Sequence, residues 1–477
     1  MSFFQKIFSA RQSPFILLTA ALVVWLLCLP LFQDGMFIDG IQYAAVARNL
    51  ARGVGAFWNP VLAQNSVAGL NSFHEHPPLV FFIQALFFKL FGFNNIYPER
   101  IYCLFTFLIT AVFMVLIWRK IFTAQAVKQL WWLPIILWIA MPIVFWAYTN
   151  DIQENTMAMF TTAAVYFFLC AVNAASVLLS INFYAGLICV LAAGFSKGVP
   201  GLFPLGFFLL YWLTLRKGKF SAVVINSFVA VSILVALVLI ILQNPVAKET
   251  LHLWFYDRML KRISSDPVEN SHFHILIGLL TEQLIAMGIV ALALIFFKWK
   301  QVKNDFGKGY VTLFLLLGFS ASLPLMLTLV QRDFYFIPAL PLFAIAWALL
   351  LADGLSRLIN LLSEKSVTVL VAFTMVALII GFAITGLQAG KIKRDKPMVQ
   401  DVYTIQKLIP QNSFVSVTSD IMWMNWSFRC YMMRYNSISF SDKDTCNYFI
   451  GYKTDKAGVD FVQIDAPLNL FTVYKRK

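Results

Sequence analysis

The sequence predicts an all-α polytopic membrane protein of about eleven transmembrane helices, with juxtamembrane helices on the outer face and a small C-terminal α/β domain. Three observations carry this prediction. Hydrophobic residues make up 60% of the 477 positions and charged residues 13%, with a mean hydropathy of +0.76, which excludes an ordinary soluble protein. Apolar runs recur at the length of a bilayer crossing, and the basic residues between them gather in alternate loops. From residue 389 onward charge and polarity rise, and short β-like runs appear. The net charge of +14 fits basic cytoplasmic loops and anionic headgroups, and no soluble basic domain of the nucleic-acid-binding kind is present.

The first element is a span. Lys6 and Arg11 precede an apolar run over 14–32 that is long and lacks a small-residue cleavage site, so it reads as an uncleaved helix with a cytoplasmic N-terminus. The next apolar run, 78–93, contains Lys89 and offers about 15 residues against the roughly 20 needed to cross. If it crossed, Arg119, Lys120, Lys128, the Arg216-Lys217-Gly218-Lys219 turn and Lys298, Lys300, Lys303 and Lys308 would all lie outside. As a helix in the outer interface it leaves every one of them inside. Spans then follow at 101–118, 130–148, 156–179, 183–195, 202–215, 222–242, 275–297, 311–330, 334–351 and 367–387.

Residues 1–388 form the membrane domain, with 34–100 as its first outer loop, and 389–477 form the outer-side domain. In the latter, strands are expected at 414–418, 448–451, 461–464 and 470–474, and helices at 398–409 and 421–435. Lys391, Lys393, Arg394 and Lys396 run against the positive-inside rule there. Cys430 and Cys446, outside the membrane segments, are expected to form a disulfide.

Polar residues able to carry chemistry gather on the outer side. Asp39 stands four positions before Tyr43 on a helical pattern, and it reads either as a general base or as the N-cap of a helix over 41–51. Taken alone, the cap is the simpler reading. In His74-Glu75-His76 the alternate imidazoles of an extended segment point to one side, so a divalent metal is conceivable. A His pair beside a lipid phosphate needs fewer assumptions, and no metal or other cofactor is expected. Asp151 and Glu154 follow the third span, and Lys197 lies between two short spans, where a charge is costly. Arg258, Lys261 and Arg262 form a basic outer loop suited either to an anionic headgroup or to a solvated amphipathic helix. Tyr335 opens a proline-bearing span.

In order and spacing, Asp39-Gly-Ile-Gln-Tyr43-Ala, Phe73-His-Glu-His-Pro-Pro-Leu79, Asp151, Ser196-Lys197-Gly198 and Tyr335-Phe-Ile-Pro-Ala-Leu-Pro341 resemble the GT-C membrane glycosyltransferases. The resemblance is to those related to protein O-mannosyltransferases and lipid A aminoarabinose transferases, and it runs through most of the membrane region. It implies inverting transfer of a sugar from a polyprenyl-phosphate donor to a hydroxyl of a glycan, lipid A or protein acceptor. The setting it implies is the periplasmic face of a bacterial inner membrane, among membrane lipid. Asp39 would match the catalytic carboxylate and Asp151 a second acid. Tyr43, His74, Glu75, His76, Lys197, a cation among Arg258, Lys261 and Arg262, and Tyr335 would match groups around substrate. His76 departs from the pattern, since aminoarabinose transferases carry a Lys there and a His contacts phosphate as a cation only when protonated. The rival reading, a transporter or flippase of polyprenyl-linked sugars, would spread polar groups through the membrane depth.

Overall fold

The computed structural model describes residues 11–63, 72–261, 269, 271–296, 305–441 and 445–477. It is a multi-pass helical protein. Among the described residues six helices are long and apolar enough to cross a bilayer: Ser13–Phe32, Pro98–Ile121, Phe220–Ile241, Gly309–Leu327, Asp333–Leu361 and Glu364–Gln388. Two bent pairs bring the number to eight if each is one span, and the sharper of them, 86°, breaks just before Pro142. The expected eleven is therefore not reached by length and composition. Gln153–Ala171, Ile181–Lys197 and Val199–Leu215 occupy three further expected positions, and the last starts as a 3-10 turn at Val199–Gly206 because it carries Pro200 and Pro204. The helix Leu79–Phe91 has 13 residues, about 20 Å, short of the roughly 30 Å hydrocarbon core.

The chain packs as two compact units. The first comprises Met1–Leu29, Leu104–Tyr148 and Gln153–Leu387. Within it Phe220–Ile241 and Glu364–Gln388 have only 11% and 17% of their apolar windows buried, leaving flanks suited to lipid, whereas Asp333–Leu361 is 83% buried. Gly318 allows the close pass of that central helix, since a Cβ there would come within 2.7 Å of the Phe343 ring.

The second unit comprises Pro30–Cys103, Thr149–Ile152 and Gln388–Lys477. The first loop, grouped by sequence with the membrane helices, thus packs with the C-terminal segment. The reason is a common core: Met36 and Ile41 share one buried cluster with Val402, Ile405, Val415, Tyr431 and Val473. Helices Ile38–Ala51 and Leu79–Phe91 meet through Ala44, Ala47, Ala51 and Ala85 around Phe88, small residues that permit close approach. A two-strand ribbon, β1 (Gly55–Ala56) and β2 (Asn59–Pro60), follows the first of these helices.

The C-terminal sheet contains β3 (Phe414–Val417), β4 (Ser439–Ser441), β5 (Tyr448–Tyr452), β6 (Phe461–Ile464) and β7 (Phe471–Arg476), in the order β4-β3-β5-β7-β6. The first three run parallel, and β7 and β6 are antiparallel. Four of these strands fall where the alternation predicts them; β4, three residues long, is too short to show a period. Asp401, fully buried, closes the turn into β7 by accepting the backbone N–H groups of Asn469, Leu470 and Phe471 at 2.6, 2.7 and 3.2 Å.

The expected disulfide is absent: Cys430 and Cys446 are free thiols. Cys430 belongs to the apolar core, and burial pushes its pKa up to about 12, the behaviour of a small hydrophobe. After unfolding without reductant, an alkylating reagent is expected to label both cysteines; protection of both would restore the bond.

Buried charge ties the loop to the C-terminal segment. Asp34 accepts Arg100 Nη2 at 3.1 Å and the hydroxyls of Tyr403 and Tyr435 at 2.5 and 2.7 Å. Arg100 also meets Glu99 at 3.1 Å, and Arg434 grips Glu99 through Nε at 3.2 Å and Nη2 at 2.7 Å, with Arg434 and Glu99 both fully buried. Beside it the backbone pairs in parallel, Asp34 N–H to Lys391 O and Lys393 N–H to Asp34 O, both at 2.9 Å. The basic cluster after the last span is therefore paired with the chain leaving the first one, as two helices that end on the same side require. Removing one member of a buried pair strands the other, so Glu99→Ala is expected to cost about 3–5 kcal/mol. Unfolding of the purified protein measures this, and Glu99→Ala with Arg434→Met should recover much of the loss.

Candidate functional site

In the second unit, helix Ile38–Ala51 starts from Phe37, an extended residue at φ −58° and ψ 145°. Asp39 is therefore not the N-cap; it stands half-buried in the first helical turn, where the unpaired N–H groups favour a negative charge. Gly40 admits nothing larger, because a Cβ would lie 2.2 Å from the Asn150 carbonyl oxygen. Asn150 Oδ1 in turn accepts the Phe37 backbone N–H at 2.9 Å. The 149–152 segment is thus pressed against the helix start, and the carboxylates of Asp39 and Asp151 ride on touching stretches of backbone.

Asp151 is held in the left-handed region at φ 51°, a strained conformation for a residue with a side chain. Its buried carboxyl accepts Gln84 Nε2 on Oδ2 and the Cys103 thiol on Oδ1 at 3.6 Å. Burial raises its pKa well above the carboxylate range; the Gln84 hydrogen bond opposes this, and the charge of Glu99 adds to it.

The structure joins Tyr43 to His76: hydroxyl and Nε2 are 2.9 Å apart and the rings meet edge to face at 5.4 Å. Tyr43 packs in a cluster with Phe73 and Phe81, which fixes the imidazole beside the helix. His74 and Glu75 are half-buried on the preceding turn. Among the described residues no group of three His, Cys, Asp or Glu side chains could hold a metal ion.

The remaining candidates belong to the first unit. Lys197 ends helix Ile181–Lys197, and Gly198 follows at φ 97° against the Trp254 ring, which a Cβ would meet at 2.3 Å. The ammonium group is stabilised by Glu154 at 3.1 Å, by the negative end of its own helix, and by the Tyr335 ring, 5.6 Å from Nζ to centroid. Glu154, weighed in the sequence but not assigned a role, is thus the partner that an intramembrane lysine requires. Next to it the amide of Gln153 is fully buried with neither Oε1 nor Nε2 hydrogen-bonded. The polar run from Asn150 to Asn155 at the head of an apolar helix was the signal for both. Arg258 and Lys261 are exposed, and Lys261 pairs with Asp257 at 2.6 Å in solvent. Arg262 lies outside the described residues.

The raised pKa of Asp151 has a sign. The folded protein holds this proton more tightly than the unfolded chain does. Stability from Asp151 is therefore present below the unfolded carboxylate pKa and falls as pH rises through the window up to the raised folded value. Asp151→Asn is expected to remove that slope, so the gap in unfolding midpoint between the variant and the natural protein should move in the variant's favour as pH rises. A gap independent of pH would mean that the carboxyl is not buried neutral.

Solved structures share this fold. ArnT from Cupriavidus metallidurans bound to undecaprenyl phosphate matches 96% of this chain and 97% of its own length, with a TM-score of 0.63 and 15% identity. Its apo state matches over the same shares with a TM-score of 0.62 and 14% identity. The Archaeoglobus fulgidus oligosaccharyltransferase in the apo form matches 94% of this chain but 66% of its own, with a TM-score of 0.50 and 12% identity. No protein-family model and no curated protein sequence matches the chain. The likeness is one of fold: the chain shares the fold of these structures over nearly its whole length.

Proposed function

We propose that the protein transfers a sugar from a polyprenyl-phosphate donor to a hydroxyl of an acceptor at the membrane surface. The observation that carries this reading is the match over nearly the full length of both chains to ArnT bound to undecaprenyl phosphate. The chemistry of the residues agrees. Asp39 acts as general base and takes the proton of the acceptor hydroxyl as its oxygen attacks the anomeric carbon. The bond from that carbon to the phosphate oxygen breaks with its electron pair, so configuration inverts and polyprenyl phosphate leaves. A cation stabilises the growing charge of the leaving phosphate, the role for which Lys197 is the candidate, and no metal or nucleotide is needed. Asp151 and the Tyr43–His76 pair orient the substrates. The acceptor, a glycan, lipid A or a protein, comes from the aqueous side of a bacterial inner membrane, where the C-terminal domain faces the periplasm.

The test uses purified full-length protein, several radiolabelled polyprenyl-phosphate sugars and membrane extract as acceptor. Asp39→Asn keeps size and hydrogen bonding but removes the base, so transfer is expected to fall roughly 10²–10⁴-fold with polyprenyl phosphate binding retained. Near-natural turnover by this variant would eliminate Asp39 as the base. Lys197→Met should instead weaken lipid-phosphate binding itself.

A further inference from the structure

Just past the last span, the second unit carries four cations within six positions, Lys391, Lys393, Arg394 and Lys396, against one carboxylate, Asp395. All four are exposed, and among the described residues only Arg394 has an acidic partner, Asp395 at 3.7 Å. Their backbone is fixed. Gly390 N–H donates to Phe32 O at 2.8 Å, and Asp34 N–H to Lys391 O and Lys393 N–H to Asp34 O both at 2.9 Å. Gly35, at φ 85°, admits the Arg394 carbonyl, which a Cβ would meet at 2.5 Å. In an extended stretch side chains alternate. Ile392 packs on the core of the unit, so Lys391 and Lys393 point together to the opposite, solvent side. Arg394 lies over the Phe37 ring at 5.4 Å. The height is fixed as well. Lys391 comes three positions after Gln388, where one span ends, and the bond from Gly390 reaches Phe32, where another ends. The Phe32 ring meets that of Tyr97 at 5.8 Å, and tyrosine is a residue of the headgroup level.

We propose that this strip is a docking surface for the anionic phospholipid headgroups of the surrounding bilayer, phosphatidylglycerol being the simplest. Charge and height together commit it to lipid: four cations less one carboxylate leave a net +3 where lipid phosphates lie. Each cation at an anionic surface strengthens the attraction about fivefold. The pinned backbone presents Lys391 and Lys393 without further ordering. Lys396 stands in the first turn of helix Lys396–Leu408, an end that itself favours anions. A basic cluster that runs against the positive-inside rule thus has a use other than setting topology. The surface employs none of the residues assigned to the donor phosphate, and it stands whether or not the transfer reaction does.

The experiment places full-length protein in nanodiscs of phosphatidylcholine, or of equal parts phosphatidylcholine and phosphatidylglycerol. A water-soluble acetylating reagent then reports the reactivity of each lysine by mass spectrometry. Lys391 and Lys393 are expected to react at least about fivefold more slowly in the anionic discs, and high salt should abolish the difference. Lys453 and Lys475, exposed at the C-terminal sheet, should react alike in both. Inorganic phosphate added to phosphatidylcholine discs should slow none of them. Lys391→Gln with Lys393→Gln keeps the backbone bonds, so in phosphatidylcholine it should unfold as the natural protein does. Its midpoint should rise less on adding phosphatidylglycerol. Unchanged reactivity in the anionic discs, equal slowing at Lys453 and Lys475, the same slowing by inorganic phosphate, or an equal rise of midpoint in the variant would each overturn the proposal.

Discussion

Charge buried in a low-dielectric interior is tolerable only when each group is answered by another, and the second unit is built on one such row. Asp34, Arg100, Glu99 and Arg434 alternate in sign, and each is no more than 2% exposed. The two tyrosine hydroxyls on Asp34 and the backbone oxygens around Arg434 fill the remaining bonding capacity. Asp34, Glu99 and Arg100 come from the first loop, and Arg434 from the far end of the chain. The residues between can be membrane helix of any length, since the row and the apolar core beside it specify the pairing. A row of this kind adds little net stability over an apolar equivalent, but it makes any other register of the two segments prohibitive.

The same rule governs the first unit at Lys197. Its ammonium is neutralised by Glu154 and by the end of its helix, so the pair as a whole is nearly without charge. Any anion that met Lys197 would have to share the lysine with Glu154 or displace it. The fully buried, unbonded amide of Gln153 beside Glu154 marks the same stretch of helix as polar beyond what packing uses.

Much of this was legible in the sequence, and the failures have local causes. Spans, the short apolar helix Leu79–Phe91 and four of five strands follow from apolar length and alternation, which depend on neighbours in sequence. Length and composition do not by themselves confirm eleven spans where helices are short, kinked or start as 3-10 turns, because proline and polar residues at helix heads blur a boundary that composition alone must draw. The disulfide failed because two cysteines outside the membrane say nothing of whether either is packed into a core, as Cys430 is. The coupling of residues 34–100 to the C-terminal segment was invisible for a different reason. It rests on contacts such as Asp34 to Tyr435 and Glu99 to Arg434, hundreds of positions apart, and nothing near any of them in sequence announces the partner.

Two aspartates five positions apart show what geometry adds to such a reading. Both Asp34 and Asp39 follow closely on the first span. Asp34 is 1% exposed and accepts from Gly35 N–H, Arg100, Tyr403 and Tyr435, so its lone pairs are committed and no hydroxyl can approach. Asp39 is half-buried in the first turn of a helix whose start is braced by Gly40 against Asn150. A base must be reachable in order to accept a proton and rigidly held in order to accept it from one direction. Asp34 meets the second condition only. The extended cap at Phe37 and the contact at Gly40 hold the half-buried Asp39 in place, which favours it over Asp34 for the proposed role.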